Sequence, residues 1–185
     1  MKRKIFEWGG IAASIVLIAF GIGSIVIGAT GVNEVRDNLA QENIVGTDDS
    51  SIPGQKVDTG SEAKAFADVM RTHALEATGG LTYAEMGRFK SAANPDDAKG
   101  TSDEAAALKD QSGAPVSNGA RDIWVTETAL STALNVAFFA ERVALFSIVM
   151  GVALLLTGIG FLVLTIGGAI RRNEATVAPK PVAAS

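Results

Sequence analysis

The chain has 185 residues, 48% of them hydrophobic, with 16 Lys and Arg against 20 Asp and Glu and a formal net charge of −4. It contains no cysteine, which excludes disulfides, thiolate nucleophiles, Cys-ligated zinc, iron–sulfur clusters and lipid attachment through a Cys. Its acidic balance speaks against nucleic-acid binding, which draws on clustered Lys and Arg.

Residues 1–8 form a basic N-terminus carrying Lys2, Arg3 and Lys4, and residues 9–30 are uncharged and largely apolar. A hydrocarbon core about 30 Å thick needs about 20 apolar residues in a helix, so this run is expected to span a membrane. It is longer than the roughly 7–15 apolar residues of a cleavable signal peptide, and Ala29-Thr30-Gly31 is a poor cleavage site; an uncleaved signal anchor is expected. Trp8 stands where an indole favours the membrane–water boundary. Ser14, Gly21 and Gly28 recur at seven-residue intervals. Such spacing lets helix backbones approach closely in lipid, although small residues are also simply common in membrane helices.

Residues 31–142 read as one extracytoplasmic helical domain. Residues 32–42 are helix-competent and are expected to continue the first helix. Gly46, Asp48, Asp49, Pro53 and Gly54 then mark a loop. Ser61 is the expected N-cap of a helix whose apolar face is Phe66, Val69, Met70, His73, Ala74 and Ala77. Gly79-Gly80 is its expected stop. Thr82-Tyr83-Ala84-Glu85 has the pattern of a capping box and predicts a second helix through Phe89, with Met86 and Phe89 buried. Asn94-Pro95-Asp96-Asp97 is a turn, and Thr101-Ser102-Asp103-Glu104 predicts a short Ala-rich helix ending near Asp110. From Asn118 onward there is no Gly or Pro between Ala120 and Met150. One long helix is therefore expected to enter the second span, with Ile123, Leu130, Leu134 and Ala137 along one side. Trp124 is the expected anchor of a small exterior core made with Phe66, Met70, His73, Met86 and Phe89.

The second apolar run, residues 143–170, is also long enough to span and carries Ser147, Gly151 and Gly158. Residues 171–185 read as a flexible tail containing Pro179 and Pro181. The two ends hold six basic and two acidic residues, net +4, so the middle supplies −8 of the total. Lys and Arg beside spans are retained in the cytoplasm, which predicts both termini cytoplasmic and the acidic middle outside, in a cell membrane. The fold class expected is thus all-α, with two transmembrane helices joined by a small helical extracytoplasmic domain. No ionisable residue lies within either run, which argues against a proton or ion path.

Catalytic patterns are weak. His73 is the only histidine, too few for a two-His, one-carboxylate iron site or a His-rich zinc site. It reads as a structural, partly buried residue, with a pH switch as the sharper alternative. No nucleophile elbow or phosphate-binding loop occurs. Asp48-Asp49, Asp96-Asp97 and Asp103-Glu104 suit turns and caps better than calcium, since the EF-hand spacing is missing.

The segments at 70–89 (MRTHALEATGGLTYAEMGRF) and 123–130 (IWVTETAL), with Ile44-Val45-Gly46-Thr47, resemble a family of small two-span actinobacterial membrane proteins with no established function. The resemblance implies a cell-membrane location and carries over no substrate, cofactor or catalytic residue. The expected role is a non-catalytic membrane-anchored scaffold or accessory subunit. Its expected partners are membrane lipid and either another envelope membrane protein or further copies of the chain. Ser14, Gly21, Gly28, Ser147, Gly151 and Gly158 are the expected helix-packing or partner contacts; no catalytic residue, metal ligand or cofactor is expected. Two alternatives are an extracytoplasmic small-ligand sensor and, less favoured, a membrane enzyme using Glu76, Glu85 and Glu127.

Overall fold

In a computed structural model of the chain, residues 2–177 are described, with side chains from Glu7 to Gly168. Among them the fold is all-helical: α1 (Lys2–Gln41), α2 (Gly60–Ala77), α3 (Gly119–Val177) and a single 3-10 turn at Tyr83–Glu85. Two compact units divide the chain, Met1–Val32 with Val143–Ser185, and Asn33–Arg142.

The first unit is a helix pair with its polarity reversed relative to a water-soluble core. Ser14, Gly21, Gly28, Gly151 and Gly158 are buried, while Ile27 is 71% and Leu164 72% exposed. The reason is steric. A Cβ at Gly21 would lie 2.7 Å from the Leu155 nitrogen and 2.8 Å from the Gly151 carbonyl oxygen. One at Gly28 would lie 2.6 Å from the Ala144 oxygen, and one at Gly158 would lie 3.0 Å from the Ser14 oxygen. Only glycine allows the backbones this close. The pairing runs antiparallel, from Gly28 beside Ala144 through Gly21 beside Gly151 to Gly10 beside Thr165. A seven-residue recurrence of small residues suits a left-handed pair, because 3.5 residues per turn keeps one seam facing the partner helix. Ser14, Ser147, Thr157 and Thr165 donate their hydroxyls to carbonyls four residues back in their own helices, so these four hydroxyl protons need no water.

Glu7–Gln41 and Gly119–Gly168 are long and apolar enough to cross a membrane, and only 11% of the most apolar window of each is buried. The core helix of a water-soluble protein would be mostly covered. α3 also continues to Val177, so residues 171–177, expected in a flexible tail, are helical. Gly and Pro are absent from that stretch, and Pro179 is the first residue that cannot continue a helix. The rest of the expected tail, from 178, lies outside the described residues.

In the Asn33–Arg142 unit, α2 begins one cap earlier than Ser61. Thr59 is the N-cap, and Glu62 completes a capping box by accepting from the Thr59 and Asp58 N–H groups at 2.9 and 3.0 Å. Ser61 loses because no Glu or Gln stands three residues after it. At the other end Gly79 and Gly80 adopt φ of +64° and +81°, and the Gly80 N–H reaches back to the Leu75 carbonyl at 2.7 Å. That left-handed stop favours glycine.

Residues 81–118 depart from expectation. The Thr82–Glu85 capping box forms, but it caps a single 3-10 turn and the chain is extended again by Met86. The Ala-rich segment at 101–110 is not a helix. Its backbone joins isolated bridges, Phe89 with Thr101 and Ser117, Ser91 with Ala107, and Lys109 with Pro115. At its centre three segments form a closed ring. The Lys90 N–H donates to the Val116 carbonyl (2.9 Å), Val116 to Leu108 (2.9 Å), and Leu108 back to Lys90 (2.8 Å). These non-local bonds satisfy the groups that a helix would have paired locally. Asn118 locks the excursion: its amide donates to the Gly87 and Ala98 carbonyls at 3.0 and 2.9 Å, and its oxygen accepts from Ala120 N–H at 3.2 Å.

The core of this unit is two clusters rather than one. Leu39, Val57, Ala63, Ala67 and Leu134 form the first, with Phe66 and Met70 packed against it. Ala74, Met86 and Trp124 form the second. His73, expected in the core, is exposed, because its ring reaches outward to Asp49. Phe89 is half-buried, lies outside both clusters, and has the Arg88 guanidinium 5.3 Å from its ring centre.

Two predictions follow from these elements. Gly10 and Thr165 are positioned for a disulfide, since a Cβ at Gly10 lies 3.7 Å from the Thr165 Cβ and disulfides need about 3.5–4.5 Å. Gly10→Cys/Thr165→Cys should close an intramolecular bridge on oxidation. Adding Gly151→Ile should suppress it, because overpacking costs about 1–3 kcal/mol even where side chains can yield; bridging only between chains would refute the seam. The second concerns acid. Burial pushes the Glu62 carboxyl up, but hydrogen bonds from Asp58 and Thr59 outweigh it and hold the group below its ordinary 4.5. The Thr82 N–H and hydroxyl lower Glu85, and Ser112 and Ala114 lower Asp110. Depressed carboxylates contribute stability above their unfolded pKa and lose it as pH falls through the folded value. Thermal stability of the unit should thus be level near neutrality and decline in the acid range below about pH 4.5, with a shallower decline in Glu62→Gln.

Candidate functional site

The Asn33–Arg142 unit is held by two buried carboxylates on α3. Glu141 has a side chain only 3% exposed. One of its oxygens accepts from Arg36 Nε of α1 at 2.7 Å, and the other accepts from the Gly60 N–H at 3.0 Å. Gly60 is the first residue of α2, where unpaired N–H groups and the helix dipole favour an anion. The approach needs glycine, since a Cβ there would lie 2.8 Å from the carboxylate and 2.9 Å from Phe138 Cα. One side chain thereby ties together all three helices of the unit.

Glu127 repeats the device one heptad pair earlier. It is 4% exposed and accepts from Arg71 Nη1 of α2 at 3.1 Å and from Ser131 Oγ at 2.7 Å. The Arg71 guanidinium lies 3.9 Å from the centre of the Trp124 ring, so the cation is shared between a carboxylate and an indole face. The inward side of α3 in this unit is thus Trp124, Glu127, Leu134 and Glu141. The expected side was Ile123, Leu130, Leu134 and Ala137, and of these Ile123 and Leu130 are exposed. From sequence alone Glu141 has no assigned role, and Glu127 is only a candidate acid–base carboxylate. The available signal was their spacing, since residues 127, 134 and 141 are seven apart on one helix.

Two of the cavities in the unit adjoin these residues. The larger, ≈ 840 Å³, is lined by α1, α2 and α3 with Val35, Leu39, Phe66, Met70, Leu134 and Ala137 among its walls. The smaller, ≈ 490 Å³, includes His73, Ala74, Asp122 and Glu127, and shares Met70 and Leu130 with the larger. His73 Nε2 lies 2.5 Å from Asp49 Oδ2, with both side chains substantially exposed. That hydrogen bond is the leading cause holding the Asp49 carboxyl below its ordinary value.

The carboxylates considered for acid–base work do not gather. Glu85 is occupied by the Thr82 cap, Glu76 is exposed, and Glu127 is held by Arg71. Among the described residues no three His, Asp or Glu side chains are placed to hold a metal ion. Of the residues in the apolar runs, Gly21 meets Gly151, Gly158 meets Ser14 and Gly28 meets Ala144 and Ile148, all within the chain, while Ser147 is half-buried and bonded to its own helix. Of the exterior set, Met86 and Trp124 share a cluster, Phe66 and Met70 serve the other, and His73 and Phe89 join neither.

Arg36→Met should leave Glu141 buried with one donor. Removing one partner of a buried pair costs about 3–5 kcal/mol, and the half-exposed Arg36 puts this case toward about 3. The double variant Arg36→Met/Glu141→Met should recover part of the loss, read as thermal unfolding of the full chain; equal loss in both would refute the clamp. No protein-family model, no curated protein and no solved structure matches the chain.

Proposed function

We propose that the chain is a two-span integral membrane protein whose Asn33–Arg142 unit faces out of the cytoplasm as a non-catalytic scaffold or accessory subunit for another membrane protein of the cell envelope. The observation that carries this reading is the reversed helix pair. Phe20, Ile27, Phe146, Leu156 and Leu164 face outward while glycine and serine face inward. In water such a surface would far exceed the few hundred Å² of apolar patch that soluble monomers tolerate. In hydrocarbon it is the ordinary state.

Orientation follows from charge. Lys2, Arg3 and Lys4 precede one run and Arg171 and Arg172 follow the other, and such residues are retained on the cytoplasmic side. The resemblance of residues 70–89 and 123–130 adds an actinobacterial cell membrane. The scaffold role draws support from how the polar groups are used. Glu127, Glu141 and Asn118 are engaged in fixing backbone and helices, which suits rigid presentation of a surface. Because the seam glycines are taken up within the chain, partner contact falls to the outer helix faces or to the exterior unit. A ligand sensor is the second reading, favoured by the two cavities.

Alkaline carbonate should leave the protein in the membrane pellet, and protease added to intact cells should cut within residues 33–142 while sparing a tag on either end. Solubilisation by carbonate, or cleavage of the tags alone, would overturn the topology. Cross-linking in native membranes followed by mild-detergent purification should recover a stoichiometric second membrane protein; recovery of the chain alone would overturn the accessory role.

A further inference from the structure

We infer that the ≈ 840 Å³ groove of the Asn33–Arg142 unit is a binding site for a single hydrocarbon chain, the acyl tail of a membrane lipid. The inference rests on the membrane reading above for its supply of lipid and goes beyond it in assigning a ligand site.

Chemistry comes first. The lining consists of Val, Leu, Ile, Phe, Met and Ala apart from Asn38 and Glu42, both exposed to solvent. Arg36 is not part of the lining and its guanidinium is committed to Glu141, so nothing in the groove selects an anionic group. What the walls recognise is apolar surface alone.

Size decides between apolar occupants. An α-helix with its side chains is about 10–12 Å across, so ≈ 840 Å³ accommodates about two turns of one or fewer. That is too little to enclose a partner helix, which could lay only one face against it. The same volume lies within the roughly 300–1,000 Å³ range of small-molecule sites, and a flexible chain fills an irregular groove without rigid complementarity.

Supply is the third point. Two of the three groove helices are also the helices that carry the apolar runs. On α1, Val35 comes five residues after Thr30; on α3, Ala140 comes three residues before Val143. Each helix therefore reaches the groove within about two turns of its run, at 3.6 residues per turn. α2 supplies the opposing wall through Phe66 and Met70. Met70 and Leu130 also border the smaller cavity, and methionine's unbranched thioether adapts to irregular contents.

The test uses the full-length protein in phosphatidylcholine nanodiscs containing a phosphatidylcholine with a diazirine-bearing palmitoyl chain. After illumination, labelled positions are mapped by peptide mass spectrometry. Labelling is expected within residues 9–30 and 143–170 and, diagnostically, on α2 at Phe66 or Met70. Ala137→Trp, which fills the groove, should reduce α2 labelling several-fold while leaving the apolar runs labelled as before. Ala133→Trp, at an exposed position of the same lining, serves where Ala137→Trp lowers the melting temperature. Absence of α2 labelling in the unaltered protein, or labelling indifferent to both substitutions, would overturn the site. Replacement of lipid adducts by chain-to-chain cross-links at Phe66 would overturn it in favour of a second copy. Loss of labelling on the apolar runs themselves would undo the membrane reading instead, so the two failures are distinguishable.

Discussion

The constraint on which the helix pair depends is the absence of side chains at a few backbone positions. Gly21 and Gly151 sit against each other's helices, and Gly28 and Gly158 extend the contact in both directions. Were the pair in lipid, as proposed, no hydrophobic drive would bring the two helices together, since acyl tails are as apolar as leucine. Attraction must come from many close contacts, each about 0.1–0.2 kcal/mol, and these accumulate only if backbones approach. The large residues are displaced outward as a consequence. The outward Ile, Leu, Phe and Val surface is therefore the geometric complement of the seam.

The Asn33–Arg142 unit solves the opposite problem. Its apolar clusters are small, and much of its inner face is polar. Buried charge stabilises only where both partners and the remaining lone pairs are satisfied. Glu141 meets that condition with a guanidinium and a helix N-terminus, and Glu127 meets it with a guanidinium and a hydroxyl. Such pairs add less stability than well-packed hydrocarbon, but their geometry is directional. They fix which turn of α3 faces α1 and α2, a choice that interchangeable alanines on the same helices leave open.

How much of this was legible in the sequence varies with the range of the forces involved. The apolar runs need no tertiary context, because length and the absence of charge suffice. α2 was legible from periodicity and from Gly79-Gly80, and its N-cap was misplaced only because Thr59 and Ser61 are chemically alike and Glu62 decides between them. The close-approach role of the small residues was readable from their spacing, but which helix they meet was not. The segment at 101–110 was misread because alanine propensity is local, while the bonds that claim its backbone come from residues 89 to 92 and 116. The roles of Glu127 and Glu141 were not legible because their partners, Arg71 and Arg36, lie 56 and 105 residues away. His73 failed in the reverse sense: a helical apolar stripe suggested burial, and Asp49 in a preceding loop draws the ring outward.

The backbone ring through Lys90, Leu108 and Val116 bears on what this protein avoids. Extended segments ordinarily end in a row of free amides and carbonyls on which a foreign strand can build. Here each segment hands its proton to the next, and the last returns one to the first, so at that level the extended chain has closed upon itself. In the membrane setting proposed above, copies held at high local density in two dimensions would meet constantly. Closing the ring removes a foothold for the strand-by-strand stacking through which crowded chains become fibres.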